Sequence, residues 1–391
     1  MPLSHPFRRL LPVYATLVVW TIAWTASANG PVMPLYVESL GIGIVDWSLL
    51  AAASALGMFL LEWLWGALYD RIDRRLVMSL SVLCMSILFP LYTLRTFIPF
   101  FVVLQFVSGA VGVALGPTTR AYVSKETPRE YIGLSSSLWW AFFTLGRTLG
   151  PLLGAYVAQV WSFQLSFYVS SALSFVTVML ILVTFPKGKP TPTVGSLDLV
   201  RSLRSAFRFR SVGFLFISAL FAFMGVALIR SFLPLYASEQ IKMSTLDVGI
   251  LISATSAVQL IALPSLGYVS DRFGRRRTVL LGFGLSSFAF LLYFIVVTPF
   301  QLVSISLLTS VGLSASSLLL LALVPEVAPV SGYGMVVGVY GSFEDVGLIL
   351  GPIVFGLIWS AYAPVLIFAA GSITQIVAAV CLLKIIRHRN R

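Results

Sequence analysis

The chain has 391 residues, 58% of them hydrophobic and only 10% charged, with a formal net charge of +12. A soluble domain carries about 25% charged residues, so this composition, with a mean hydropathy of +0.97, excludes a water-soluble globular domain. The positive charge does not make a nucleic-acid face either, because the basic residues lie in short loops between apolar runs.

A bilayer core needs about 20 apolar residues per helix. Such runs are predicted at 11–37, 45–69, 76–94, 98–122, 130–158 and 163–185. The first is long and continuous with the rest of the domain, so it is read as a retained span and not a cleaved leader. The stretch from Pro186 to Arg210, PKGKPTPTVGSLDLVRSLRSAFRFR, then interrupts the apolar pattern. Its proline, glycine and arginine content marks a linker with a short amphipathic basic helix on the membrane surface. Six more runs follow at 211–237, 245–269, 278–298, 300–324, 331–359 and 362–386. The expected organisation is an N-terminal six-helix bundle at 1–186, a cytoplasmic linker at 187–210 and a C-terminal six-helix bundle at 211–391.

Orientation follows from lysine and arginine. With the N-terminus in the cytoplasm, Arg95 and Lys242 fall outside and Arg147 and Arg230 fall within spans, which leaves 22 of the 26 basic residues inside. This is the positive-inside pattern. It predicts a multi-pass protein of the cell membrane with both termini cytoplasmic. Cys84 and Cys381 fall inside apolar runs, and His5 and His388 sit near the two ends. Neither a disulfide framework nor a metal site is expected from that inventory.

The two halves repeat each other. Pro34-Leu35-Tyr36 returns as Pro234-Leu235-Tyr236, and Gly66 with Asp70-Arg71 returns as Gly267 with Asp271-Arg272. Glu126 returns as Glu326, and Gly146, Gly150 and Pro151 return as Gly347, Gly351 and Pro352. Every offset is 200 or 201 residues. Chance does not hold a register across four separate motifs. The fold class predicted is therefore an all-α polytopic membrane protein, with twelve transmembrane helices in two pseudo-symmetric six-helix bundles. In such transporters the substrate site lies near the midplane, between the halves.

GALYDRIDRR and GYVSDRFGRRR resemble the Gly-x-x-x-Asp-Arg-x-Gly-Arg-Arg motif of the major facilitator superfamily, in the loops after spans 2 and 8. GRTLGPLLG at 146–154 is similar to the Gly-x-x-x-Gly-Pro-x-x-Gly motif in span 5 of its drug/proton antiporter branch. The likeness covers essentially the whole chain, with two departures. Asp73 stands where the family has glycine in the first loop motif. In span 4, Gln105 stands at the arginine of the family's Arg-x-x-Gln-Gly, which tunes a nearby proton carrier in the members that have it.

The resemblance implies a cytoplasmic latch. It brings Asp70 to the start of span 11 near Ser331 and Gly332, and Asp271 to the start of span 5 near Arg129 and Glu130. A carboxylate is stabilised at a helix N-terminus by the unpaired amides there. Arg71 and Arg272 would pair with Glu126 and Glu326. The alternative is that these charges only set topology. The glycines at 146, 150 and 154 let another helix pack close to span 5, and Pro151 removes one backbone hydrogen bond and permits a bend. Gly347, Gly351 and Pro352 repeat the arrangement in span 11. Static packing and a hinge both remain open.

Glu62, Arg147, Arg230, Glu344 and Asp345 all lie within predicted spans. A charge at bilayer depth costs several kcal/mol if lipid-exposed, so each is expected to face the interior, a wet cavity or an ion-pair partner. None has a counterpart in the other half, which makes them better candidates for substrate chemistry than the repeated residues. Burial favours the neutral form of a carboxylate, so such a group can load and release protons near neutral pH. Trp140, Phe143 and Arg147 share one helical face, as do Trp20 and Trp24, with Asn29 beyond. An aromatic wall with one or two charges suits a flat or amphipathic organic solute. Tryptophans at span ends, such as Trp47, Trp161 and Trp359, fit the interfacial belt, and Trp24 and Trp140 fit either reading.

No phosphate-binding loop is present, so an ion gradient or the solute gradient is the expected energy source. The residues point to a secondary transporter working by alternating access, coupling proton movement to export of small amphipathic compounds. The alternative is carriage of an organic anion held by Arg147 and Arg230. An enzyme is not expected, because the spans carry no histidine and no nucleophile with a base. The partners expected are a small-molecule substrate, the proton and the lipid bilayer, with the chain monomeric and without a cofactor. A sensor that keeps the fold without transport is not excluded by the residues.

Overall fold

The computed structural model describes residues 5–94, 96–186, 210–327 and 333–389. The expected linker lies outside the described residues apart from Arg210, as do Ser331 and Gly332. Among the described residues every regular element is helical, and ten helical segments are long and apolar enough to cross a membrane by length and composition. Two further helices stand where the remaining expected spans fall. One is α1 (His5–Ala26), apolar from Leu10 to Ala26. The other is α7 (Ile132–Val160), in which Arg147, two tryptophans and four glycines dilute the apolar character.

Three expected spans are not single helices. The first breaks after α1, turns through residues 27–31 and resumes as α2 (Val32–Ser39). Pro31 has no amide hydrogen to continue the ladder. At Gly30 a β-carbon would fall on the Thr25 carbonyl oxygen. Span 4 is α5 (Ile98–Gly112) followed by α6 (Leu115–Glu126). Span 10 begins as α12 (Pro299–Leu313) and opens into a wide turn over Ser314–Leu318. There the Ser314 hydroxyl donates to the Ser310 carbonyl at 2.7 Å and Ser317 donates to Leu313 at 2.5 Å. Such hydroxyl bonds compete with the backbone ladder. By contrast α9 (Arg210–Glu239), the counterpart of span 1, runs unbroken through Pro234. Arg230 and Ser231 stand there in place of Gly30 and Pro31.

The other helices are α3 (Ile44–Arg71), α4 (Arg74–Leu91), α8 (Phe163–Thr184), α10 (Thr245–Phe273), α11 (Arg275–Leu292), α13 (Tyr333–Ala361) and α14 (Leu366–Arg389). They form two compact units. One is drawn from Met1–Ile42, Leu56–Val194 and Met243–Ala257, the other from Gly43–Ala55, Gly195–Lys242 and Val258–Arg391. Helices α3 and α10 each divide between the two.

In the first unit α1 packs against α7 and α8, and α4 against α8. The α1–α7 seam is close because β-carbons at Gly146, Gly150 and Gly154 would strike Thr21, Thr25 and the Ala26 carbonyl. Tyr36, Tyr92, Phe101 and Phe167 fill the far end of the core. The opening turns of α10 belong here too. Gly249 sits against Ala155 and the Pro151 carbonyl, and the Leu246 amide donates to Gln159 Oε1 at 2.7 Å.

In the second unit α9 packs against α13 and α14, and α11 against α12 and α14. Gly347 and Gly351 meet Leu220 and Ala227 of α9. The opening turns of α3 belong to this unit, where Trp47 Nε1 donates to the Ser231 carbonyl at 2.9 Å and Ser48 lies against Gly356. The register seen in sequence extends to contacts. Ser86 meets Ser171 between α4 and α8, and Ser287 meets Ser372 between α11 and α14, each offset by 201 residues. Tyr92 stacks on Phe167, and Tyr293 stacks on Phe368, at the same offset.

Candidate functional site

In the first unit a set of rings converges on α7. Trp20 and Trp24 stand one turn apart on α1 and stack at 5.5 Å with an interplanar angle of 6°. Trp20 reaches Phe143 at 6.2 Å. Trp139 is buried, stacks on Phe143 at 5.1 Å, and its Nε1 donates to Thr119 Oγ1 of α6 at 3.0 Å. Trp140 stands edge-on to both Trp139 and Phe143 and is 39% exposed. The guanidinium of Arg147 lies 6.0 Å from the Phe143 ring centre, and that of Arg120 lies 5.9 Å from the Trp140 ring. Neither arginine has a carboxylate within ion-pairing distance among the described residues. The structure therefore joins Trp24, Phe143, Trp140 and Arg147 in one cluster. It adds Arg120 of α6, one of the 22 basic residues counted above on the cytoplasmic side. The contact between α6 and α7 is long-range, and no spacing in the sequence announces it.

Three other candidates lie in the same unit. Asn29 is half-buried in the turn after α1, and its Nδ2, like the Ser27 hydroxyl, has no hydrogen-bond partner among the described residues. Gln105 is buried on α5, two turns before Gly112, whose β-carbon position is 3.1 Å from Trp24 Nε1. Glu62 is exposed near the end of the apolar part of α3.

In the second unit Glu344 and Asp345 are half-buried in the middle part of α13, one turn after the buried Tyr340. Arg230 is exposed on α9. No group of three or more histidine, cysteine or acidic side chains that could hold a metal ion occurs among the described residues.

The loop charges take partners that differ from the expected ones. Asp271 pairs with Arg275 one turn on, at 3.8 Å. Glu326 accepts from Arg276 Nε at 3.0 Å, and not from Arg272, which is exposed. The reason is placement. Arg272 lies in the last turn of α10, whereas Arg276 lies in the first turn of α11, the helix that packs on span 10, just beyond which Glu326 sits. Glu126 is exposed and makes no ion pair among the described residues. The side chains of Asp70, Arg71 and Arg129 lie outside the described residues.

Both halves match one family model, that of the Major Facilitator Superfamily, over residues 15–214 and 215–391. The chain belongs to this superfamily. It is 26% identical to the multidrug resistance protein MdtG of Klebsiella pneumoniae (strain 342) over 349 residues, 83% of this chain and 81% of that one. It is 26% identical to MdtG of Salmonella typhi over 357 residues, 85% and 84% of the two chains. Superfamily members among solved structures share the fold. A bacterial homologue of the human lysosomal transporter Spinster, inward-facing and unoccupied, superposes with a TM-score of 0.77 over 98% of this chain and 96% of that one, at 15% identity. A single-site mutant of the nucleoside transporter NupG superposes with a TM-score of 0.81 over 95% and 99%, at 13% identity. The chain is thus a multi-pass membrane transporter of a small-molecule substrate and not an enzyme.

Proposed function

We propose that the chain exports amphipathic organic compounds by alternating access, in exchange for protons. The observation that carries this reading is the pair Glu344 and Asp345, half-buried within the apolar stretch Val336–Ala361 of α13. With no histidine in any described span, carboxylates are the groups able to take up and release a proton there. The ring cluster on α1 and α7 supports an amphipathic solute, since stacked indoles and a phenyl ring offer apolar area with two guanidiniums beside it. The similarity to MdtG, named for multidrug resistance, supports the same class of solute.

A second reading is carriage of an organic anion held by Arg147 and Arg230. It is favoured by the absence of any carboxylate partner for Arg147 among the described residues. Transport into membrane vesicles separates the two. If Glu344→Gln abolishes pH-driven transport while Arg147→Ala and Arg230→Ala retain it, the proton-exchange reading holds. If the arginine variants lose transport and Glu344→Gln keeps it, the second reading replaces it.

A further inference from the structure

The strip Arg120–Trp140–Phe143–Arg147 crosses two helices, and the repeat does not generate it. Its counterparts in the other half are Leu320, Gly341, Glu344 and Leu348, which carry neither a ring nor a guanidinium. The rings pack against one another. Trp139 backs the strip from the buried side, fixed by its hydrogen bond to Thr119 and its stack on Phe143. Trp20 closes the end nearest α1. Trp140 presents an accessible face.

The two guanidiniums sit at the loose limit for contact with an aromatic face, which is about 6 Å. Each is close enough to be positioned by its ring. Neither makes a hydrogen bond or ion pair among the described residues. Five donors on each therefore remain for an incoming acceptor, and guanidinium geometry matches a carboxylate or sulfonate in bidentate fashion. Arg147 is half-buried with only a phenyl ring for company; burying an unpaired charge is costly, and a bound anion offsets that cost. Trp140 and Arg147 stand two turns apart, roughly 10 Å along α7, which is the length of a fused two-ring aromatic with its anionic group.

We propose that this strip is a binding site for aromatic organic anions, with Trp140 and Phe143 as the stacking surface and Arg147 and Arg120 as the two anion contacts. The site deepens the second reading above, carriage of an organic anion, and rests on it for its physiological use, whichever ion drives transport. It also makes Arg120 a specificity residue, where sequence reasoning gave it only a topological role.

The test is equilibrium binding to the full-length protein in detergent, with no gradient imposed. Three probes with the same ring system and different charge are compared, naphthalene-2-sulfonate, 2-naphthalenemethanol and 2-naphthylmethylammonium, by quenching of tryptophan fluorescence and by calorimetry. The sulfonate is expected to bind at least tenfold more tightly than either of the others. Arg147→Gln should reduce its affinity tenfold or more, and Arg120→Gln several-fold. Trp140→Ala should weaken all three probes together, since stacking does not depend on their charge. Equal or tighter binding of the ammonium probe to the wild type overturns the proposal without any variant having to fold. Unchanged sulfonate affinity in a folded Arg147→Gln or Arg120→Gln protein overturns it as well. A strip that fails this test while a neutral or cationic amphiphile is still exported under a pH gradient leaves the proposed function standing. A strip that binds the sulfonate in a protein showing no pH-driven transport does the reverse.

Discussion

The loop after α3 and the loop after α10 share an Asp-Arg pair and an Arg-Arg pair at the same register, yet they make the turn in different ways. In the first, Asp73 stands at φ −55°, ψ 116° and its carboxylate accepts from the Arg75 amide at 3.0 Å, capping α4. In the second, Gly274 stands at φ 94°, ψ 131° and offers no side-chain cap to α11. The next residues diverge in step. Arg74 lies 4.7 Å over the Tyr122 ring, while its counterpart Arg275 donates to the carbonyl of Ala322, the residue that replaces Tyr122. Arg276 and Glu326 form an ion pair that Arg75 and Glu126 do not form among the described residues. Duplication has preserved where the chain turns and the sign of its charge. The contacts that stabilise the turn have been rebuilt separately in each half. The departure of Asp73 from the family motif is thus a change of mechanism, from backbone freedom to side-chain capping.

The largest effect on this comparison is expected at the helix seams where glycines let two helices close on each other, α1 against α7 and α9 against α13. At Gly154 the obstacle is the Ala26 backbone carbonyl, which cannot swing aside, whereas at Gly351 the nearest atom is the Ala227 methyl at 2.8 Å. Gly154→Ala should cost about 3 kcal/mol of apparent stability and Gly351→Ala about 1 kcal/mol. Thermal unfolding in detergent measures both, and equal losses would mean the two seams are equally compliant.

Next in size is an exchange between the turns. Gly274→Asp forces a side chain into a positive-φ conformation and should cost about 2 kcal/mol. The reverse change, Asp73→Gly, removes only a cap and should cost a few tenths of a kcal/mol, and Asp73→Ala about 1 kcal/mol. Similar melting shifts for Gly274→Asp and Asp73→Gly would show that the turns are interchangeable.

The smallest difference concerns the glutamates. Glu326→Gln removes a part-exposed ion pair worth about 1 kcal/mol or less, so its melting temperature should fall slightly and the fall should shrink in high salt. Glu126→Gln should leave the melting temperature unchanged. A loss at Glu126 equal to that at Glu326 would reveal an ion pair in the first half as well.

Much of the fold was legible because it rests on composition and register. Apolar runs, loop charges and motifs offset by 200 or 201 residues are properties of the chain itself. The breaks were not read, although Gly30 and Pro31 signalled the first one, because apolar residues on both sides hid a five-residue turn inside one run. The wide turn at Ser314–Leu318 has no glycine or proline to mark it. At the candidate site, Trp24, Trp140, Phe143 and Arg147 were readable from helical periodicity. The partners were not. Arg276 in place of Arg272, and Arg120 over Trp140, depend on how separate helices meet, which neither period nor offset encodes.

Solute-driven proton movement in proteoliposomes tests the central claim most directly. The purified chain is reconstituted with a trapped pH indicator, and an amphipathic solute is added on one side without any imposed pH gradient. The account predicts proton movement opposite to the solute in wild type, and its loss in Glu344→Gln/Asp345→Asn protein that retains solute binding. Solute flux with no accompanying proton movement, or proton movement that survives the loss of both carboxylates, would contradict it.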